Sequence, residues 1–90
     1  MNLIFVKKGQ ITPVFPPATH PVRRGVYMTR EVDVETGEPT HEGWFYSFYD
    51  STDKIWGCSN FSPELATDKP EFEFASQHKE WRGLAQEPKP

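Results

Sequence analysis

The sequence predicts a mainly β fold, with a small α+β fold as the variant: an antiparallel meander of three to four strands followed by one or two short helical turns. Three observations carry this. Residues 43–58 run from an aromatic segment through a polar turn into a second apolar segment, the pattern of a β-hairpin. Residues 26–35 alternate apolar and polar side chains at period two. Nine prolines in 90 residues leave little room for long helices.

Taken in chain order, Leu3-Ile4-Phe5-Val6 is a short strand candidate, ended by Lys7, Lys8 and Gly9; lysines there suit a sheet edge. Residues 10–21 contain Pro13, Pro16, Pro17 and Pro21 and read as an extended proline-rich connector. Pro13-Val14-Phe15-Pro16-Pro17 would also suit as a ligand for an aromatic groove. Gly25 permits a bend into the strand that follows. There Val26, Met28, Val32 and Val34 share an apolar face, interrupted by Arg30. Tyr27, Thr29, Glu31, Asp33 and Glu35 share a wet one.

A polar loop, residues 36–43, leads to the aromatic strand. Trp44, Tyr46 and Phe48 share one of its faces, and Phe45, Ser47 and Tyr49 the other. Asp50-Ser51-Thr52-Asp53 is turn chemistry, and residues 54–58 form the return strand. The expected core is Val26, Trp44, Tyr46, Phe48, Ile55, Trp56 and Trp81, because a small domain needs large buried side chains.

Ser62-Pro63-Glu64 starts a helix, with serine as cap, proline at the first helical position and an acid in the first turn; Pro70 closes it after about one turn. Residues 71–75 alternate and read as a short strand or extended segment. Residues 77–84 read as a last helical turn that docks Trp81 on the sheet and ends at a left-handed Gly83. Residues 86–90 read as a disordered tail. The expected organisation is one small domain, residues 1–90, with its compact part at about 22–84.

The formal charge is -3, which neither marks a nucleic-acid binder nor makes the chain a DNA mimic. Cys58 is the one cysteine, so an intramolecular disulfide is excluded and a thiolate zinc site has too few ligands. That fits a reducing cytoplasm, that of a bacterial host cell in the setting described below. The four apolar residues near the start are followed, not preceded, by lysines, unlike a secretory signal, and no run is long enough to span a membrane.

Pro21-Val22-Arg23-Arg24-Gly25-Val26-Tyr27, Gly43-Trp44-Phe45-Tyr46, Trp56-Gly57 and Trp81-Arg82-Gly83-Leu84 together resemble a group of small proteins from phages and prophages of Gram-negative bacteria. Those run Pro-Val-Arg-Pro-Gly-Val-Tyr, an aromatic strand, an Asp-Gly turn, a second tryptophan and a closing Trp-Arg-Gly-Leu. The match covers residues 21–84 as scattered motifs. It departs at Arg24, where a proline is common, and at the longer turn 50–53. The resemblance implies a phage setting and a compact β fold, and it brings no activity with it.

Catalytic and metal chemistry find no pattern. His20, His41 and His78 have no spacing that would enforce a metal site. Asp50 and Asp53 lack the pattern of a calcium loop. No nucleophile motif and no glycine-rich phosphate loop occurs, so the expectation is a non-enzymatic chain without cofactor or metal. Its aromatic surplus points instead to a protein-binding module that docks on a host protein and modulates or inhibits it, for example a defence or nucleic-acid enzyme. The expected partner face carries Tyr27, Phe45, Tyr49, Glu31, Asp33 and Glu35, and the acids of this stretch would meet a basic surface. The alternative is a single-stranded nucleic-acid-binding β module. Tyr27, Phe45 and Tyr49 would then stack bases, and Lys7, Lys8, Arg23, Arg24 and Arg30 would supply charge.

Overall fold

A computed structural model describes residues 13–68 and 70–86 of the chain. It is mainly β. Strands β1 (Gly25–Glu31), β2 (Phe45–Asp50), β3 (Ile55–Trp56) and β4 (Lys79–Gln86) form an antiparallel sheet in the order β3-β2-β1-β4. One short helix, α1 (Pro63–Asp68), lies against β2 and β1. The first three strands form the expected meander, with Val26 opposite Phe48 and Tyr49 opposite Trp56. Asp50 shapes the hairpin turn by accepting the amides of Thr52 and Asp53 on its Oδ1, at 2.9 and 3.2 Å. Ser62 Oγ caps α1 by accepting the Leu65 amide at 3.2 Å. The Leu3–Val6 strand candidate and residues 87–90 of the expected tail lie outside the described residues.

The fourth strand corrects the sequence reading. Residues 79–84 are extended, not a helical turn, and Gln86, assigned to the tail, belongs to the same strand. Alternation is present here but disguised, because one of the two inward side chains is a lysine. Lys79 and Trp81 are buried, while Glu80 between them and Arg82 after them are partly exposed. Gly83 does have φ 49, yet it ends no helix. Arg82 stands opposite Met28 and Leu84 opposite Tyr27, so Gly83 is the extra residue of a β-bulge, a place where positive φ suits glycine.

On β2 the inward face is reversed from expectation, and Tyr27 and Thr29 of β1, expected on a wet face, are buried with it. The main ring cluster is Tyr27, Tyr49, Trp56 and Trp81, with Phe15 packed against it. Tyr27 meets Trp56 and Trp81 edge-on, at centroid distances of 5.8 and 5.2 Å, and Tyr49 meets Trp56 at 4.9 Å. Thr29 and Ser47 lie buried on the same face, hydroxyl to hydroxyl at 2.6 Å. Of the residues expected in the core, Val26, Trp56 and Trp81 are buried; Trp44, Tyr46, Phe48 and Ile55 are half-buried. Both faces of β2 carry rings, so alternation alone does not choose between them. β4 chooses, by bringing Trp81 alongside Thr29 and onto the Tyr27 ring.

The proline-rich connector folds back on this core. Phe15 exchanges two backbone hydrogen bonds with Trp81, at 2.7 and 3.0 Å, and stacks on its indole at 4.6 Å. The indole Nε1 donates to the Thr19 carbonyl at 2.6 Å. The segment that reads as a ligand for an aromatic groove thus occupies an aromatic surface of its own chain.

Candidate interaction surface

β1 ends at Glu31, and Val32 then bridges to Pro39 across a tight acidic loop. Asp33 builds that loop. Its Oδ1 accepts the amides of Glu35 and Thr36, at 2.8 and 3.1 Å. Its own amide donates to the Glu38 carbonyl at 2.8 Å, and its carbonyl accepts from Gly37, which sits at φ 76. The two amides on the carboxylate hold its pKa below the usual range. Thr40 closes the loop by donating its amide to Glu31 at 3.0 Å. Glu35, Glu38 and Glu42 are exposed, and no cationic side chain pairs with them among the described residues.

The chain leaves this loop into Phe45, which is half-buried. His41 meets the Phe45 ring edge-on at 6.3 Å, and Phe61 lies 5.7 Å away. Phe61 itself is 84% exposed. It precedes the cap of α1, whose Leu65 is also exposed. Two rings, one almost fully in water, therefore sit where an ordered acidic loop joins the sheet.

Tyr27 and Tyr49, expected on a partner face, are each 1% exposed and belong to the core. Burial raises the pKa of both phenols. The Tyr27 hydroxyl donates to the Arg23 carbonyl at 2.7 Å, and the Tyr49 hydroxyl lies 3.1 Å from His20 Nδ1. Glu31 is half-buried and close enough to Lys79 to influence its charge. Phe45 is half-buried, against His41 and Phe61, and Asp33 and Glu35 lie in the loop that precedes β2. Phe61 was not singled out in the sequence; a phenylalanine between an asparagine and a helix cap gives no periodic signal.

Trp44 lies on the opposite side of the chain from Phe45. Arg30 stands over its ring at 4.3 Å and Arg82 at 5.2 Å. A third feature is a cleft of about 540 Å³ lined by Ala18, His20, Pro21, Val22, Tyr49, Ser51 and Lys54. Among the described residues no three of His, Cys, Asp and Glu come together as a metal site, and no helix is long and apolar enough to cross a membrane.

No protein-family model, curated protein or solved structure matches the chain at a significant level.

Proposed function

We propose that the chain is a non-enzymatic interaction module that docks on a partner protein through the Phe45–Phe61 end of its sheet and modulates that partner. The observation that carries this reading is Phe61, whose ring is 84% exposed beside Phe45 and next to a preformed acidic loop. Burying one such ring contributes about 1.5–3 kcal/mol. The loop is already ordered by the Asp33 carboxylate, so docking it costs little conformational entropy. The complementary surface is an apolar pocket rimmed by basic groups, matching the free carboxylates of Glu35, Glu38 and Glu42. The resemblance to small phage and prophage proteins is the ground for reading the partner as a protein of the bacterial host cytoplasm. The nucleic-acid alternative loses two of its three stacking rings, Tyr27 and Tyr49, to the core, and the acids beside Phe45 oppose a polyphosphate chain.

Affinity capture from host lysate at native and low salt tests the reading, with Phe61→Ser as the matched control. A specific protein held by the wild type, lost with Phe61→Ser and bound again when purified supports it. Recovery of background proteins alone, or equal capture by Phe61→Ser, overturns it.

A further inference from the structure

The Trp44 side of the sheet gathers two guanidiniums over one ring. Arg30 and Arg82 both stand over the Trp44 indole, at 4.3 and 5.2 Å from its centroid. Glu80 serves one of them: its Oε2 accepts from Arg30 Nε at 2.6 Å and from Arg30 Nη2 at 2.5 Å. Arg82 has no carboxylate, and its Nε is buried without an acceptor among the described residues. A buried N–H left without an acceptor is costly; since the Nε is itself closed to solvent, a ligand from outside meets the part of the Arg82 side chain that stays partly exposed. The register explains the arrangement. Arg30 faces Glu80 directly, whereas Arg82, two residues further along β4 in the same register, lies opposite Met28, whose thioether is only a weak acceptor.

From this geometry we infer that Arg82, held against Trp44, is a receptor for one carboxylate supplied from outside the chain. Two guanidiniums and one carboxylate leave the site one net positive charge, which a monoanion balances. A phosphate dianion would overcompensate it. Glu80 within the site and Glu42 two residues before Trp44 oppose a polyanion further. A planar carboxylate also matches the guanidinium fork, and the indole holds the guanidinium in place by cation–π attraction. The carboxylate can come from an acidic side chain of a protein or from a small carboxylic acid. The site does not depend on the Phe45–Phe61 reading, because Trp44 and Phe45 are successive residues of extended chain and point to opposite sides.

Proton–nitrogen NMR of the intact protein tests the inference, with the Arg82 Nε–H and Trp44 indole N–H as reporters. The probes are sodium acetate, a Gly-Glu-Gly peptide blocked at both ends, and inorganic phosphate, each against chloride at equal ionic strength. Saturable shifts of both reporters with acetate or the peptide support the site. A response to acetate identifies a free carboxylate as sufficient, and a response to the peptide alone assigns the source to a protein side chain. In Arg82→Lys the Trp44 response should weaken roughly tenfold or more, the size of a charge-assisted hydrogen bond. In Glu80→Gln, which keeps Arg82, binding should tighten. Phosphate binding as tight as that of the carboxylates overturns the assignment, as does an unchanged Trp44 response in Arg82→Lys. So does a response no larger than that to chloride.

Discussion

Lys79 Nζ donates to the Gly57 carbonyl at 2.7 Å, joining β4 to the segment that leaves β3, the opposite edge of the sheet. The same ammonium donates to Ser47 Oγ at 3.0 Å and to Ser59 Oγ at 3.3 Å. Three protons thus meet three acceptors in a fully buried position. The sheet curls around this lysine, and a side chain that usually stays wet becomes a tie through its interior.

Stability should therefore rise with pH in an unusual window. Burial lowers the Lys79 pKa from 10.5 to about 8, outweighing the opposite influence of Glu31 and Cys58. Between these values the unfolded chain holds a proton that the folded chain has released, so the free energy of unfolding climbs with pH. The slope is at most about 1.4 kcal/mol per pH unit. Above the ordinary phenol value of 10.0 the sign reverses. There the buried Tyr27 and Tyr49 keep protons that the unfolded chain loses. Urea unfolding across the alkaline range should show a rise and then a fall. Lys79→Met should abolish the rise and keep the fall; a wild-type curve flat through the first window contradicts the role of Lys79.

The three tryptophans should separate in cost. Trp56→Ala and Trp81→Ala each remove a ring from the buried cluster and should destabilise by about 3–5 kcal/mol. Trp44→Ala removes a half-buried ring and two cation–π contacts of about 0.5–1 kcal/mol each, and should cost clearly less. Denaturant midpoints at constant m-value measure the difference. A Trp44→Ala loss equal to that of Trp81→Ala would show that the outer side of the sheet is as much core as the inner.

Gln77 takes the place of a neighbouring strand. Its Oε1 accepts the Trp56 amide at 2.7 Å and its Nε2 donates to the Trp56 carbonyl at 2.8 Å. Gln77→Ala should cost about 1–3 kcal/mol by leaving these groups unpaired. Gln77→Glu should recover part of that at most, since a carboxylate cannot donate to the carbonyl. Faster hydrogen exchange at the Trp56 amide in Gln77→Ala, but not in Gln77→Glu, whose carboxylate still accepts that amide, would report the loss directly; unchanged exchange in Gln77→Ala would refute the role.

Phe74 is 96% exposed and sits at φ 67, a region that bulky residues rarely adopt. Asparagine tolerates this conformation and gives up no buried ring here. Phe74→Asn should raise stability by about 0.5–1 kcal/mol. A melting temperature below that of the wild type would mean that the ring makes contacts its exposure does not suggest.

Much of this architecture was legible in local chemistry. The hairpin of β2 and β3, its Asp50 turn and the Ser62 cap of α1 depend on residues a few positions apart, and their side chains state the turn or cap directly. Residues 36–43 were readable as a polar loop, but Asp33 and Glu35 read as strand; β1 ends at Glu31, and the Asp33 carboxylate turns the chain earlier by accepting the Glu35 and Thr36 amides. Of the partner face read from the sequence, Tyr27 and Tyr49 are buried in the core, while Asp33 and Glu35 are exposed and Phe45 is half-buried.

What tertiary structure decided is which side of each strand faces inward. β2 carries rings on both faces, so alternation there does not choose, and in β1 alternation marks as wet the face on which Tyr27 and Thr29 are buried. The choice rests on β4, which pairs with β1 across about fifty residues of chain, Arg30 meeting Glu80. Such a pairing leaves no local mark, and a core lysine hides what mark there is. The same long-range contact puts Phe15 on Trp81 and Lys79 under Gly57. By itself the sequence determined that the chain is mainly β and where its turns fall, because turns and alternation are local. Packing determined the core and the surfaces left for partners, because burial is settled only when distant strands meet.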